Sequence, residues 1–419
     1  MEPEKLAVPA GRLRQAGRGS DCTGLPVHSP PGFLVAALLA LFIAAGCTST
    51  GHHHAGAAGV MPRAPSAVAE PVEATRAIDL SSATDLAGLI PRLADRRVVL
   101  IGEIHDRLEH HLVQLEIIRR LHAIHPRLAI GMEAFQQPFQ GVLDEYLAGK
   151  LSEREMLQAS EYYSRWRFDY RLYAPILRYA REHGLPVVAL NLPTELTRKV
   201  GREGMAALTE GERAQLPAEI DRSDDAYTAR LREIYEQHPG EGRQGFENFL
   251  DVQLLWDEGM AKRAADYLEA HPDYRMVLLA GRGHLAWGSG IPQRLERRLP
   301  IDAVTVLNGW DGQADPALAD FVLLPTRRDL PPAGKLGAVL RLDSDALRID
   351  TCLPDSPCKR AGLRPGDRFL AIDGEPVADM ADLRLQVWDK QPGDVVALAI
   401  QRKRWLRPPQ ELVYDVTLQ

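Results

Sequence analysis

The chain has 419 residues, of which 45% are hydrophobic and 26% charged, with a formal net charge of -7. That length suits two or three domains, and that hydrophobic content builds a sizeable core. The mild acidity and the lack of a basic stripe argue against nucleic-acid binding. The four cysteines (Cys22, Cys47, Cys352, Cys358) form no C-x-x-C pair of the kind that marks a structural zinc site.

Residues 33–45 are an unbroken run of 13 apolar residues preceded by Arg12, Arg14 and Arg18. A helix needs about 20 such residues to span a bilayer, so the run suits the core of a signal peptide. It closes on Ala44-Ala45-Gly46-Cys47, which resembles the lipobox of bacterial lipoproteins, with alanine at 44 where leucine is usual. The resemblance implies cleavage after residue 46 and a lipid anchor on Cys47. Thr48, where an aspartate would signal inner-membrane retention, implies an outer membrane lipoprotein facing the periplasm. The long Pro-containing stretch before the run suggests a start codon downstream of Met1. Residues 47–76, rich in Ala, Gly, Pro and Ser, read as a flexible tether. His52-His53-His54 within it reads as a polar tract more readily than as a metal site.

The main domain is expected over residues 77–325. Arg97-Val98-Val99-Leu100-Ile101 reads as a strand buried on both faces, broken by Gly102 and followed by Glu103-Ile104-His105-Asp106. Asp106 is placed to cap a helix over 107–124. A second strand is expected over 127–132 with Glu133 at its end, then helices near 139–147, 152–159 and 172–182. A third strand over 186–190 leads into a helical block from 194 to 271. Met276-Val277-Leu278-Leu279-Ala280 repeats the buried-strand pattern and ends in Gly281-Arg282-Gly283-His284. A helix over 291–298 and strands near 303–307 and 321–324 complete the domain. This alternation predicts an α/β fold, a mainly parallel sheet with helical cover and an inserted helical layer. After a basic, Pro-rich linker over 325–332, short strands between Gly, Pro and Asp turns define a separate small β-rich domain over 333–419.

In an open α/β sheet, ligands sit at the carboxyl ends of the strands. Glu103, His105, Glu133 and His284 all fall there, and two carboxylates with two imidazoles can hold a divalent metal ion. Without a metal they can act as a general acid/base set. Gly102, Gly281 and Gly283 are read as permitting sharp turns and close approach to a ligand. His110 and His111 lie on the next helix, facing either the site or solvent.

Several of these segments together resemble the ChaN family of iron-regulated lipoproteins, in the wider Tiki, TraB and erythromycin-esterase superfamily. They are Gly102-Glu103-Ile104-His105 with His111 and Gln114, Gly131-Met132-Glu133-Ala134-Phe135 with Gln140, Asn191-Leu192-Pro193, Trp256-Asp257-Glu258-Gly259-Met260-Ala261, and Ala280-Gly281-Arg282-Gly283-His284. The resemblance implies haem binding and uptake, with a homodimer around haem as one mode. Tiki-like relatives imply metal-dependent peptidase chemistry and the esterases a Glu and His pair that activates water. Either chemistry would fall on Glu103, His105, Glu133 and His284.

Residues 161–173 hold four of the 11 tyrosines and three arginines. Tyrosine or histidine can ligate haem iron, and arginine can pair with propionates. Tyr170, Tyr173, Arg167, Arg171, His105 and His284 are thus the candidate haem contacts, with structural packing of the aromatics as the competing reading. No c-type attachment motif is present, so any haem would be non-covalent.

The C-terminal segment Ser356-Pro357-Cys358-Lys359-Arg360-Ala361-Gly362-Leu363-Arg364-Pro365-Gly366-Asp367, followed by Ile372-Asp373-Gly374, resembles a PDZ domain. That resemblance makes Leu336, Gly337 and Ala338 the loop that receives a peptide's terminal carboxylate, with Ala338 smaller than is usual. Cys352 and Cys358 flank a short turn, and their spacing leaves a disulfide and two free thiols both open. The overall expectation is a periplasm-facing lipoprotein that binds haem or iron and carries a PDZ-like peptide module, the alternative being a metal-dependent hydrolase.

Overall fold

The computed structural model describes residues 82–237, 245–309, 315–343 and 346–419. The signal peptide, Cys47, the tether and its histidine run lie outside the described residues. In chain order the first domain holds α1 (Leu86–Ala94), β1 (Val98–Glu103), α2 (Leu108–Ile124), β2 (Leu128–Gln136), α3 (Gln140–Leu147), α4 (Glu153–Ala159), α5 (Tyr162–Arg165), α6 (Ala174–His183) and β3 (Val187–Asn191). It continues through α7 (Thr194–Glu203), α8 (Glu210–Arg213), α9 (Asp225–Gln237), α10 (Phe246–Ala270), β4 (Arg275–Gly281), α11 (Ile291–Arg298), β5 (Ala303–Asn308) and β6 (Phe321–Leu323). The strands are parallel in the order β3-β2-β4-β1-β5-β6.

Strand residues alternate between faces, so each buried strand feeds two cores. Val99, Ile101, Ile130 and Leu279 pack with α1, α2 and α6 on one side, while Leu100, Ala129, Leu190 and Leu278 pack with α10 and α11 on the other. The helical block from 194 to 271 is an added layer as expected. Gly259 lets α10 approach the chain after β3: a β-carbon there would lie 2.5 Å from Leu192 Cγ. At the sheet edge, Gln140 accepts from Ala189 N–H and donates to Val187 O, and Gln137 donates to Leu190 O. The Gln140 amide thus occupies backbone groups of β3 that a further strand would otherwise use.

Two elements differ from expectation in ways that matter for the site. β2 continues through Gln136 with a register shift after Met132, so Glu133 lies inside the strand rather than beyond it. Its partner β3 is short and leaves room for that irregularity. Arg107, not Asp106, occupies the N-cap of α2, without a side-chain cap bond.

The second domain comprises β7 (Ala338–Asp343), β8 (Ala346–Cys352), α12 (Pro357–Arg360), β9 (Arg368–Ile372), β10 (Glu375–Pro376), α13 (Met380–Val387), β11 (Val395–Arg404) and β12 (Arg407–Thr417). Its antiparallel sheet runs β12-β11-β9-β8-β7, with β10 paired to β9, over its own core of Leu347, Ile349, Phe369, Leu398 and Ile400. Cys352 and Cys358 form a disulfide with Cα atoms 5.5 Å apart. Beside it, Cys358 N–H donates to Leu336 O and Leu353 N–H to Gly337 O, each at 2.9 Å. The crosslink therefore braces the 336–338 loop. Replacing both cysteines by alanine is expected to cost about 2 kcal/mol of this domain's stability through the entropy of the short closed loop. Denaturation of the two forms, with and without reductant, checks it.

Helix α13 has two apolar faces. Leu383 and Val387 join the core of their own domain, and Leu385 packs into that of the α/β domain. Trp388 meets Tyr170 edge-on at 5.3 Å, and Arg384 donates to the Arg167 carbonyl at 2.9 Å.

Candidate functional site

Adjacency of β1 and β4 makes the site. Glu103 pairs with Gly281 in register, so the two Gly-x-x-His segments leave the sheet side by side, with β2 on the far side of β4. Glu103 is 3% exposed, and its carboxylate collects neighbours from three elements. On Oε1 it accepts from the Tyr173 hydroxyl at 2.8 Å and lies 2.9 Å from His105 Nδ1. On Oε2 it accepts from Gln114 Nε2 at 2.7 Å and lies 3.3 Å from His111 Nδ1. Burial would raise its pKa, but the charge of His111 and the bonds from His105 and Gln114 outweigh it and bring it down to about 2.

A second pair mirrors the first. His284 Nδ1 lies 2.6 Å from Asp257 Oδ1, whose other oxygen accepts from the Tyr227 hydroxyl at 2.5 Å. The His284 Nε2 is 3.5 Å from Glu133 Oε1, and Glu133 Oε2 accepts from Gly281 N–H at 2.7 Å. Burial depresses the His284 imidazole, yet the Asp257 and Glu133 charges prevail and lift it to about 9. His105 is also raised: burial works against its charge, and Glu103 and Glu133 outweigh it. Two carboxylate-backed imidazoles therefore flank one glutamate at the strand ends.

The expectation for the glycines is corrected. Neither Gly102 nor Gly281 has positive φ; both lie in strands, and what they supply is space. A β-carbon on Gly281 would lie 2.9 Å from His105 Nε2 and 3.6 Å from Glu133 Oε2, and one on Gly102 would lie 2.5 Å from Leu307 Cδ2. Gly281→Ala is expected to displace the His105 ring and disturb its bond to Glu103, at a cost of about 1–3 kcal/mol. The His105 imidazole resonance and the melting temperature report both effects.

Glu103, His105, Glu133 and His284 are thus brought together. Glu103 and His105 share a hydrogen bond while Glu133 lies 3.5 Å from His284, and among the described residues no group of three or more His, Cys, Asp or Glu side chains is arranged to hold a metal ion. His110 and His111 are both buried. The first accepts from Ile104 N–H at 3.0 Å, and burial lowers it to about 4.

The haem contacts read from sequence do not converge. Tyr173 belongs to the Glu103 cluster, whereas Tyr170 donates to Glu153 Oε1 at 3.0 Å on the side facing Trp388. They diverge because Tyr170–Leu172 forms a separate single turn ahead of α6 rather than the start of one helix. Arg171 clamps Asp169 and donates to Pro331 O, and the Arg167 carbonyl is held by Arg384. The same segment roofs the site: the Trp166 and Phe168 rings each centre 4.8 Å from that of His105. Glu161 and Arg167 hold left-handed backbone at φ 51° and 70°, uncommon for non-glycine residues. Leu336, Gly337 and Ala338 lead into β7, at the free edge of the second sheet. Asp257 and Tyr227 were missed as site residues. The Trp256–Ala261 motif is the only sequence signal that marked either.

A parallel α/β sheet with this cluster at its strand ends, followed by an antiparallel six-strand module, defines a two-domain class. Residues 89–295 match the family model for haem-binding uptake, Tiki superfamily, ChaN, and residues 334–407 match that for the PDZ domain. The chain thus carries a domain of the ChaN haem-binding uptake family followed by a PDZ domain. It is 26% identical over 233 residues to Protein RETICULATA-RELATED 5, chloroplastic, of Arabidopsis thaliana, covering 50% of this chain and 30% of that protein, so it spans under a third of that relative. Among solved structures it is similar to ChaN of Campylobacter jejuni with cofacial haem, at 18% identity over 58% of this chain and 92% of that one, with a TM-score of 0.48. An erythromycin esterase, EreC, in its open conformation aligns at 20% identity over 53% of this chain and 72% of that one, with a TM-score of 0.34. The HtrA3 PDZ domain bound to a phage-derived ligand aligns at 20% identity over 20% of this chain and 85% of that one, with a TM-score of 0.17.

Proposed function

We propose that this protein binds haem or iron for uptake or handling at the outer membrane, facing the periplasm and held there by a lipid on Cys47. Its PDZ domain takes the C-terminal peptide of a partner at Leu336, Gly337 and Ala338, and two copies pair around haem. The ChaN family match over residues 89–295 carries the haem reading. The Tyr170, Tyr173, Arg167 and Arg171 set does not fit a haem as it stands, because both hydroxyls are buried and donate to carboxylates. Haem titration of the full chain is expected to give a saturable Soret shift that Tyr170→Phe and Tyr173→Phe both retain. No saturable shift in the wild type overturns the reading. Labelled palmitate incorporation lost in Cys47→Ala tests the anchor.

A second reading rests on one arrangement, the Glu103–His105 and Asp257–His284 pairs flanking Glu133. A protonated His284 is poised to give a proton to a leaving group while a carboxylate at the same site takes one from water. This hydrolase reading requires an ester or peptide hydrolysis that disappears in both His105→Ala and His284→Ala. Unchanged turnover in either variant removes it.

A further inference from the structure

The β11–β12 hairpin ends in a loop that its own fold does not explain. Arg404 pairs with Arg407, leaving Trp405-Leu406 as a two-residue connection. Such loops favour Asn-Gly or other residues tolerant of positive φ, yet Leu406 sits there at φ 57°. The two side chains are 89% and 85% exposed, the most exposed large apolar residues among those described. A bulky apolar pair held in water on left-handed backbone breaks two local rules at once, as functional positions do.

The surroundings indicate what the pair meets. Arg402 is committed to the buried Asp367 through bonds of 2.8 and 2.7 Å. Lys403, Arg404 and Arg407 are exposed, and no ion pair reaches them among the described residues. The first carboxylate along the hairpin is Glu411, opposite Gln401 and several residues back from the tip. In a chain of net charge -7, three unpaired cations therefore ring one indole and one leucine. Two side chains are too little apolar area for the core of a specific protein interface, which needs roughly 800 Å² per partner. A bilayer interface asks for much less. Tryptophan settles at headgroup depth, a short apolar wedge reaches the acyl boundary, and flanking Lys and Arg attract anionic lipid.

We propose that the Trp405-Leu406 tip is a membrane contact that inserts into anionic phospholipid, with Lys403, Arg404 and Arg407 on the headgroups. The site lies in the PDZ domain and is independent of any lipid on Cys47. Brominated-lipid quenching of tryptophan fluorescence tests it on the full chain, using vesicles of phosphatidylglycerol with brominated phosphatidylcholine. The apolar run at 33–45 contains no tryptophan, so its insertion leaves this signal unchanged. Wild type is expected to be quenched, Trp405→Tyr to lose that quenching, and both to melt alike. At about fivefold per charge, reversing Lys403, Arg404 and Arg407 to glutamate weakens partitioning by on the order of a hundredfold or more. Vesicles of brominated phosphatidylcholine alone should quench little. Equal quenching of wild type and Trp405→Tyr, or equal quenching with and without phosphatidylglycerol, overturns the proposal.

Discussion

Glu103→Ala is expected to destabilise the α/β domain by about 3–5 kcal/mol, the range for removing one partner from a buried charged cluster. Its carboxylate receives the Tyr173 hydroxyl and the Gln114 amide and sits against two imidazoles, all of them buried. Alanine leaves these donors without water or a substitute. Glu103→Gln keeps acceptor capacity on one side only and should fall between alanine and wild type. The measurement is chemical denaturation, paired with NMR titration of His105. Since Glu103 supports the charged imidazole, the His105 pKa should drop in both variants. An unchanged His105 titration would show that the pair is not electrostatically linked.

The second large effect is the pH dependence of stability. His284 is raised from 6.5 to about 9 in the folded chain, so the folded state holds its proton more tightly than the unfolded state. Its stabilising contribution is complete below pH 6.5 and is lost as pH rises through 9, amounting to on the order of 3 kcal/mol. Glu103 has the opposite sign: lowered from 4.5 to about 2, it contributes above pH 4.5 and loses that contribution as pH falls toward 2. Buried His110, lowered to about 4, likewise resists protonation and weakens the fold as pH falls below 6.5. Together they place the stability maximum near pH 6.5. Asp257→Asn removes the largest support of the His284 charge and should flatten the alkaline limb. Melting curves from pH 4 to 10 for wild type and Asp257→Asn decide it, and an alkaline limb equally steep in both would refute the assignment.

Much of this was legible in the amino-acid order. Runs such as Val98–Ile101 and Met276–Ala280 are buried strands because continuous apolar β-branched and aliphatic stretches suit a sheet covered on both faces. The glycine after each run falls in the last two positions of its strand, and the histidine three residues later marks where the site begins. The PDZ signature was equally local, since its turns are set by Gly, Pro and Asp at short spacing. The disulfide was left open by its spacing, because a bond needs geometry that only the packed strand and helix supply.

By itself the sequence determined the elements, the two domains and the placing of Glu103, His105, Glu133 and His284 at or near the carboxyl ends of strands. Only the tertiary structure decided what those four do to one another. It set β1 beside β4 and gave His284 to Asp257, Glu133 to the Gly281 amide, and Tyr173 to Glu103. It also turned Tyr170 away toward Glu153 and Trp388. The reason is physical. Periodicity and turn chemistry act over a few residues, whereas the partner of a buried charge is chosen by chain segments tens to more than a hundred residues apart, which meet only when the sheet order is complete.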